Sequence, residues 1–429
     1  MSRSPAPAMP CLSVPLRYVA RLIAAIITAV MTALITGCAS GPASLIDTRL
    51  PYNEAIKVTS EQQLLLNIVR LRYTDTPSSL AVANVTAQFE LVKQLQLTPF
   101  FSSESNRSYT SILPQAGISY ADRPTISLVP IDDAEFTRKL FTPLTVDGVL
   151  YLAKTTWPIS TVFRLYLENI NWVPNAELAS GPTPRQAPPY SSFLRGVEAL
   201  GKLQAEGQIV FGTQERFNPV SDSIPAAKVD AMAVIEAAKN GFEFKFNKAD
   251  ASATLGKRVR HPMLFIDPKA LESPITKEFV SAFMLKPGQT RYELTANDVE
   301  PFSSADDAAF EVLDIEPRSL LQALYFISHG IEIPPEHAQS GIARTTFDRN
   351  GKVFDWGPVT AGLFQAGWSK GDSPPVNAHV SVRYRDYWFY IPGDDHDSKA
   401  TFSLLMELSR LDLQTRAGDR PVLTLPIGR

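Results

Sequence analysis

The densest group of chemically versatile side chains lies near the C-terminus, in the run Gly393–Lys399 (GDDHDSK). Carboxylates and imidazoles are common ligands of divalent metal ions. The run contains the ligand types Asp394, Asp395, His396 and Asp397. It lacks the alternating spacing and the internal glycine of a calcium loop. We therefore expect no metal or other cofactor, but a turn in which Asp397 or Ser398 caps the next helix.

The preceding stretch, Val380–Ile391 (VSVRYRDYWFYI), combines aromatic residues with two arginines. Its alternating pattern predicts a β-hairpin that turns near Arg385–Asp386. One face of the hairpin is predicted to be buried and to carry Val380, Val382 and Tyr384.

The other face of this hairpin is a candidate binding surface, on which the two arginines are expected to lie near Tyr387 and Phe389. Its residues are Arg383, Arg385, Tyr387, Trp388 and Phe389. Arginine beside aromatic rings can stack on sugars or anchor a protein partner. The same composition is also typical of a sheet core decorated by cation–π contacts.

Two pairs of adjacent carboxylates, Asp132–Asp133 and Asp306–Asp307, raise the possibility of glycoside hydrolysis, which needs two facing acids. Adjacent acids on one segment point apart, so we expect charges at a helix start or in a loop instead. The chain contains no GxSxG, HExxH, Walker A, GxGxxG or EF-hand motif. An enzyme is therefore less expected than a binding protein.

Histidine is scarce in this chain, and two of the five histidines lie next to predicted elements. His329 follows a predicted helix, where the negative end of the helix dipole favours a cation, so we expect a charged cap. His261 borders a predicted strand and receives no role.

The segment Arg17–Cys38 has the three parts of a secretory signal: basic residues, an apolar run and small residues before a cleavage site. The apolar run, Leu22–Ile35, is 14 residues long, whereas a spanning helix needs about 20. Leu34–Cys38 (LITGC) resembles the lipobox of bacterial lipoproteins. We expect residues 1–37 to be a signal peptide and Cys38 to be lipidated. An ordinary signal peptide or an N-terminal anchor is the alternative.

Loss of residues 1–37 would change the charge and the cysteine content of the chain. It removes three arginines and no acid, so 41 basic residues fall to 38 against 44 acidic ones, and the net charge goes from −3 to −6. A mildly acidic surface does not favour nucleic acid or anionic lipid. Cys11 is lost and Cys38 carries the lipid, which excludes disulfides and thiolate chemistry in the mature chain.

Helical and strand patterns interleave without a parallel βαβ series, which predicts an α+β fold with mainly antiparallel strands. Residues 38–58 are expected to form a tether, and the first helix to begin with a capping box at Ser60. The Pro-rich segment 175–190 is predicted to be an exposed linker or long loop between two α+β lobes, 59–174 and 191–429. Local patterns also predict strands over 80–91, 162–173 and 242–247, and 263–266 is the expected neighbour of the last strand. They predict helices over 193–206 and 226–240, the second of which ends at Gly241, and polar turns over 102–116.

Several stretches resemble uncharacterised lipoproteins of proteobacteria: Leu64–Pro77 (LLLNIVRLRYTDTP), Tyr120–Pro130 (YADRPTISLVP) and the tail from VRYRDYWFYIPGDDHDSKATFSLLMEL to PVLTLPIGR. The resemblance implies a lipid-anchored envelope protein and transfers no catalytic residue. In lipoproteins generally, Ala39 after the cysteine, rather than Asp, implies export to the outer membrane.

The sequence therefore favours a lipid-anchored protein on the periplasmic face of the outer membrane that acts as a non-enzymatic scaffold or accessory subunit for other envelope proteins. Anchoring confines the protein to the membrane surface and so raises its effective concentration toward partners at the same surface. Two alternatives remain open: a module that binds cell-wall glycan, and a periplasmic hydrolase that uses a carboxylate pair.

Overall fold

The computed structural model describes residues 21, 40–78, 80–86, 89–104, 107–122, 125–130, 138, 140–155, 157–296, 299, 309–413 and 423–426. In this part of the chain, helices alternate with antiparallel and mixed sheets, which confirms the α+β class. Among the same residues, no helix is both long and apolar enough to cross a bilayer.

The α-helices, numbered in chain order, are α1 (Ser40–Arg72), α2 (Val146–Ala153), α3 (Ile159–Tyr166), α4 (Ser191–Ala205), α5 (Ala231–Lys239), α6 (Pro274–Ala282), α7 (Leu320–Ser328), α8 (Pro335–Gln339), α9 (Gly357–Thr360) and α10 (His396–Leu413). The strands are β1 (Leu80–Thr86), β2 (Phe89–Glu104), β3 (Arg107–Asp122), β4 (Thr125–Pro130), β5 (Leu167–Ile170), β6 (Val173–Pro174), β7 (Ile209–Pro219), β8 (Ile224–Pro225), β9 (Glu243–Asn247), β10 (Ser252–Ile266), β11 (Arg291–Thr295), β12 (Val312–Pro317), β13 (Gly367–Lys370), β14 (Ala378–Tyr384), β15 (Tyr387–Pro392) and β16 (Leu423–Pro426).

The largest sheet has the strand order β6–β5–β12–β11–β10–β7, and β8 and β9 also pair with β10. Its pairs are antiparallel except β11–β12, which is parallel. Three smaller sheets have the orders β13–β15–β14, β1–β4–β16 and β2–β3.

The chain divides into two compact units, and the division differs from the predicted lobes. One unit comprises Met1–Thr59, Val82–Leu128 and Val422–Arg429, and the other comprises Ser60–Ala81 and Val129–Pro421. The large sheet explains why no boundary falls at 175–190. Strands β5 and β6 precede that segment and β7 to β12 follow it, yet all of them pair in one sheet.

The segment 175–190 is packed rather than an exposed linker, because side chains from other parts of the chain bind it. Asn175 and Thr183 are buried. The fully buried guanidinium of Arg318 donates from Nη2 to the Asn175 carbonyl at 2.5 Å and from Nε to Ser180 Oγ at 2.8 Å. Proline content predicted the irregular path correctly, but burial depended on Arg318, which is distant in sequence.

Helix α1 begins at Ser40, well before the predicted start at Ser60. Its C-terminal part buries the predicted apolar residues, of which Leu65, Ile68 and Val69 are fully buried. Because the chain upstream of Ser60 is already helical, the backbone N–H groups there have helical partners and need no capping box. The apolar periodicity was informative, whereas the capping signal was wrong.

The predicted strand over 162–173 is also wrong, since its first half is helix α3. The helix is buried on nearly every side, and its buried residues are Ile159, Val162, Phe163, Arg164, Leu165 and Tyr166. The alternation of Phe163, Leu165 and Leu167 resembles a strand, but a short apolar run also fits a helix, and periodicity alone does not separate the two. Strands β5 and β6 then follow, joined by a tight turn in which Asn171 and Trp172 have φ angles of 49° and 60°.

The region 102–116, predicted to consist of polar turns, belongs mostly to strands β2 and β3. These strands pair along their full lengths, so main-chain hydrogen bonds hold residues whose side-chain types gave no strand signal. The long strand predicted from Leu80 is divided between β1 and β2.

Residues 220–255 form an arm that extends from the large sheet beyond the pair Pro219–Gly256. The strand signal over Glu243–Asn247 is confirmed, although its partner is the Ser252–Gly256 end of β10 rather than the predicted 263–266. The predicted helix is shorter than expected, because Asp230 caps α5 at Ala233 N. Gly241 ends this helix region with a φ of 77°, as its position after the apolar pattern predicted.

Candidate functional site

The predicted hairpin is present and consists of β14 and β15. Its turn lies at Arg385 and Asp386, whose φ angles of 47° and 69° are typical of a two-residue hairpin turn. Strand β15 also pairs with β13 on its other side, so the hairpin is part of a three-stranded sheet.

The distribution of residues between the two hairpin faces differs from the prediction. The two-residue turn places Arg383 opposite Trp388 and Val382 opposite Phe389. Cross-strand partners share a face, so Phe389 joins the valines on the inner face. Tyr387 and Phe389 are accordingly buried. The prediction assigned the residues of the second strand to the wrong faces. The length of the turn decides which of these residues face the core, and a shift of one residue moves each of them to the other face.

The outer face of this sheet carries Arg383, Trp388 and Tyr390. The Arg383 side chain is 51% exposed, and both aromatic residues are half-buried. Ser369 of β13 pairs with Trp388 and extends this surface across the third strand. The outer face therefore offers a cation beside two aromatic rings. Of the five predicted members, only Arg383 and Trp388 lie on it.

Arg385 does not lie on the outer face but packs against the end of helix α1. Its guanidinium donates to the Asp75 carboxylate at 3.1 Å and lies 5.7 Å from the centre of the Tyr73 ring. Tyr384 also donates its hydroxyl proton to Asp75. The hydrogen bond from Tyr384, followed by that from Arg385, lowers the pKa of Asp75. These contacts give Arg385 a structural role.

Tyr73 and His337 form a buried polar pair beneath this turn, with 2.7 Å between the hydroxyl oxygen and Nδ1. Burial raises the pKa of Tyr73, so the phenol keeps its proton. Burial, followed by the charge of Arg385, lowers the pKa of His337. The pair is therefore assigned as a tyrosine hydroxyl that donates to a neutral imidazole. Sequence reasoning missed this pair because its members are distant in the chain.

The polar run Gly393–Lys399 is a turn and a helix cap. The Asp395 carboxylate accepts from Ser398 N at 3.0 Å and from Ser398 Oγ, which in turn accepts from Gln365 N at 2.7 Å. The capping residue is thus Asp395 rather than the predicted Asp397 or Ser398. The metal-ligand types Asp394, His396 and Asp397 are exposed. Within the described ranges, no group of three or more His, Cys, Asp or Glu side chains could hold a metal ion.

His261 and Glu293 meet on one face of the large sheet, where no role was predicted. His261 Nδ1 lies 2.5 Å from Glu293 Oε1, and Arg216 Nη1 donates to the same carboxylate at 2.6 Å. A cleft of about 390 Å³ is lined by Arg216, Glu293 and Met263, among other residues. The pairing of β7, β10 and β11 brings these residues together, which no local pattern could reveal.

Several exposed apolar side chains of the second unit lie on the arm. Its members are Val220, Ile224, Met232, Val234, Ile235 and Phe246, which are 36–69% exposed. Three of them lie on helix α5, where Ala237 is the one buried residue. We call these six residues the arm patch. The sequence shows the apolar residues of α5, but it does not show that they remain exposed.

Three predicted groups of functional residues fall on parts of the chain outside the described residues. These are the lipidation site Cys38 and the carboxylate pairs Asp132–Asp133 and Asp306–Asp307.

Comparison of the whole chain with known protein families, with curated proteins and with solved structures finds no match. Its function must therefore be argued from its own residues.

Proposed function

We propose that this protein is a lipid-anchored scaffold or accessory subunit of the bacterial outer membrane, and that it docks a partner protein through the arm patch. The observation that carries the proposal is the exposure of apolar residues on α5 and its neighbours. Met232 is 69% exposed and Phe246 is 51% exposed. Exposed apolar patches of this kind, rimmed by polar residues, mark protein interaction sites.

The rim of the arm patch favours a protein partner over a lipid surface. Helix α5 carries the exposed charges Glu236 and Lys239 beside its exposed apolar residues. Charges of both signs can be complemented by a protein surface, whereas an anionic membrane would attract a mainly basic one. A central apolar area with a charged rim is the usual layout of a protein–protein interface.

The anchoring part of the proposal rests on the sequence of Leu34–Cys38, and it is tested separately. Cys38→Ser should leave the protein without acyl chains and release it from the membrane fraction. Mass spectrometry of the N-terminal peptide and cell fractionation measure the two effects. Unchanged membrane retention of an unacylated chain would contradict the anchor.

The docking part is tested by photocrosslinking in cells. A photoreactive amino acid at Met232 should capture a discrete protein of the envelope, whereas the same group at exposed Glu206 on α4's C-terminal turn should not. Adding Ile235→Asp should strongly reduce capture from Met232, because it places a charge one helical turn away, among the exposed apolar residues of α5. Equal capture from Met232 and Glu206, or capture that Ile235→Asp leaves unchanged, would refute docking through the patch.

Glycan binding is the second candidate, and the outer hairpin face supports it. Trp388 and Tyr390 are half-buried on a sheet face beside the exposed Arg383. Such rings can stack on sugars while arginine binds their polar groups. Purified peptidoglycan should then retain the protein, and Trp388→Ala should abolish retention while Lys352→Ala, at an exposed loop, should not. Retention that is insensitive to Trp388→Ala would exclude this surface.

A further inference from the structure

The cleft on the large sheet has the size of a small-molecule site. Its volume is about 390 Å³, and protein pockets that bind small ligands span roughly 300–1,000 Å³. Strands β7, β10 and β11 contribute Arg216, Met263 and Glu293 to its wall. The loop residues 288–290 and the segment 311–312 form other parts of the wall. The cleft therefore has walls from several elements, which can surround a compact ligand.

Both carboxylates in the wall of the cleft are bound to cations. Glu293 Oε2 accepts from Arg216 Nη1 at 2.6 Å, and Glu293 Oε1 lies 2.5 Å from His261 Nδ1. Glu311 Oε1 accepts from Lys286 Nζ at 2.5 Å. A carboxylate whose charge is compensated at this distance attracts a further cation only weakly, because the two contributions to the potential largely cancel. The acids of the cleft therefore do not favour a cationic ligand.

Arg291 supplies the uncompensated charge of the cleft. It lines the cleft and is exposed at the start of β11. Among the described residues, no carboxylate forms an ion pair with its guanidinium. Arg216, Arg291 and Lys286 give three cations against the two carboxylates Glu293 and Glu311, a net charge of +1 with histidine left out of the count. A guanidinium with free N–H groups binds a carboxylate or a phosphate through two parallel hydrogen bonds.

Met263 and Val312 add an apolar part to the same cleft. Met263 is 1% exposed, so its side chain is a fixed part of the wall, and its sulfur lies 3.8 Å from Arg216 Nη2. Methionine sulfur makes favourable contacts with aromatic rings. The lining thus suits a molecule in which an anionic group is joined to a small apolar part such as a ring.

We propose that this cleft binds a small organic anion. Its carboxylate or phosphate group pairs with Arg291, and its apolar part lies against Met263 and Val312. No residue of the arm patch lines the cleft. The inference therefore does not depend on docking through the arm patch, and each can fail alone.

NMR of the purified full chain, labelled at the methionine methyl groups, tests this binding. The signal of Met263 is assigned by its loss in Met263→Leu. Benzoate and phenyl phosphate are the probes, and benzylamine is a cation of similar shape. At least one anion should shift the Met263 signal in a saturable way, and the tighter of the two identifies the preferred anionic group. No saturable shift with either anion, or equal binding of benzylamine, would overturn the proposal.

Charge variants of two arginines show whether the anion binds at the predicted place. Arg291→Gln should weaken binding by about tenfold or more, and Arg291→Lys should keep most of the affinity because it keeps the charge. Arg260→Gln is the matched control, since the Arg260 side chain is 76% exposed and lies on the sheet face opposite to that of its neighbour His261. Equal losses in Arg291→Gln and Arg260→Gln, or no loss in Arg291→Gln, would overturn the proposal.

Inorganic phosphate tests the apolar part of the site in the same experiment. It carries the charge of phenyl phosphate without the ring, so it should bind more weakly than phenyl phosphate. Equal affinity of the two would overturn the proposal, because Met263 and Val312 would then contribute nothing to binding.

Discussion

Acidification is expected to destabilise the second unit through the buried His329, whose protonation burial disfavours in the native state. The side chain is 3% exposed, its ring lies 4.1 Å from that of Trp356, and Nδ1 is 2.9 Å from the Tyr325 carbonyl oxygen. Burial, followed by the positive charge of Arg72, lowers the pKa of His329 to about 3. The predicted cationic cap is therefore neutral, because burial outweighs the helix dipole.

The magnitude follows from proton linkage. An unfolded histidine has a pKa of about 6.5, so below that pH the unfolded chain binds a proton that native His329 does not. The stability contributed by this residue is present above pH 6.5 and is lost progressively as the pH falls toward 3. Between pH 7 and pH 5 the loss is about 2 kcal/mol. The lowered pKa of His337 acts in the same direction. Asp75 has a lowered carboxyl pKa, so its contribution is lost only at pH values below this window.

Urea unfolding followed by tryptophan fluorescence measures this effect in the second unit alone. All five tryptophans belong to Val129–Pro421, namely Trp157, Trp172, Trp356, Trp368 and Trp388. His329→Gln should lose about 2 kcal/mol less than the wild type between pH 7 and pH 5, whatever its stability at pH 7. His379→Gln, at an exposed position, should keep the wild-type dependence. Equal losses in His329→Gln and the wild type would refute the reasoning.

Three further predictions concern packing and capping in the same unit, with unfolding free energy at pH 7 as the measurement. Gly196→Ala should destabilise the unit by about 1–3 kcal/mol, because the added Cβ would lie 2.4 Å from a ring carbon of the buried Phe283. Gly201→Ala in the same helix has room for the Cβ and should stabilise the unit by up to about 1 kcal/mol. Stability changes of the same sign in both variants would contradict this prediction. Asp395→Ala should lower the unfolding free energy by about 1 kcal/mol, because it removes the N-cap of α10. A chelator should leave the unfolding free energy of both the wild type and this variant unchanged. A change on adding the chelator would instead indicate that the run binds a metal. Tyr73→Phe should cost about 1–2 kcal/mol by removing the donor to His337, and no loss would argue against the assigned pair.

Local patterns were reliable where one side of an element faces the core. The apolar stripes of α4 and of the C-terminal part of α1, the hairpin turn at Arg385–Asp386 and the glycine that ends α5 could all be read in order along the chain. These features depend on backbone preferences and on residues a few positions apart, which the sequence displays directly.

The candidate surfaces were predicted less completely. The five residues proposed for the hairpin surface include two buried on the inner face and one bound to Asp75, because turn parity and a contact with α1 decide their positions. The arm patch was not predicted, since α5 would look the same in sequence whether a neighbour covered it or not. Exposure is a property of the whole fold.

The sequence by itself determined the α+β class and the residue types of each element, and it supports the lipobox prediction at Cys38 on residue order alone. Only the tertiary structure decided that 175–190 is bound by Arg318, that His261 meets Glu293, and that His329 is buried near a positive charge. The physical reason is the distance along the chain over which each effect acts. Periodicity and capping act over a few residues, whereas burial and pKa depend on groups that the fold brings together from distant parts of the chain.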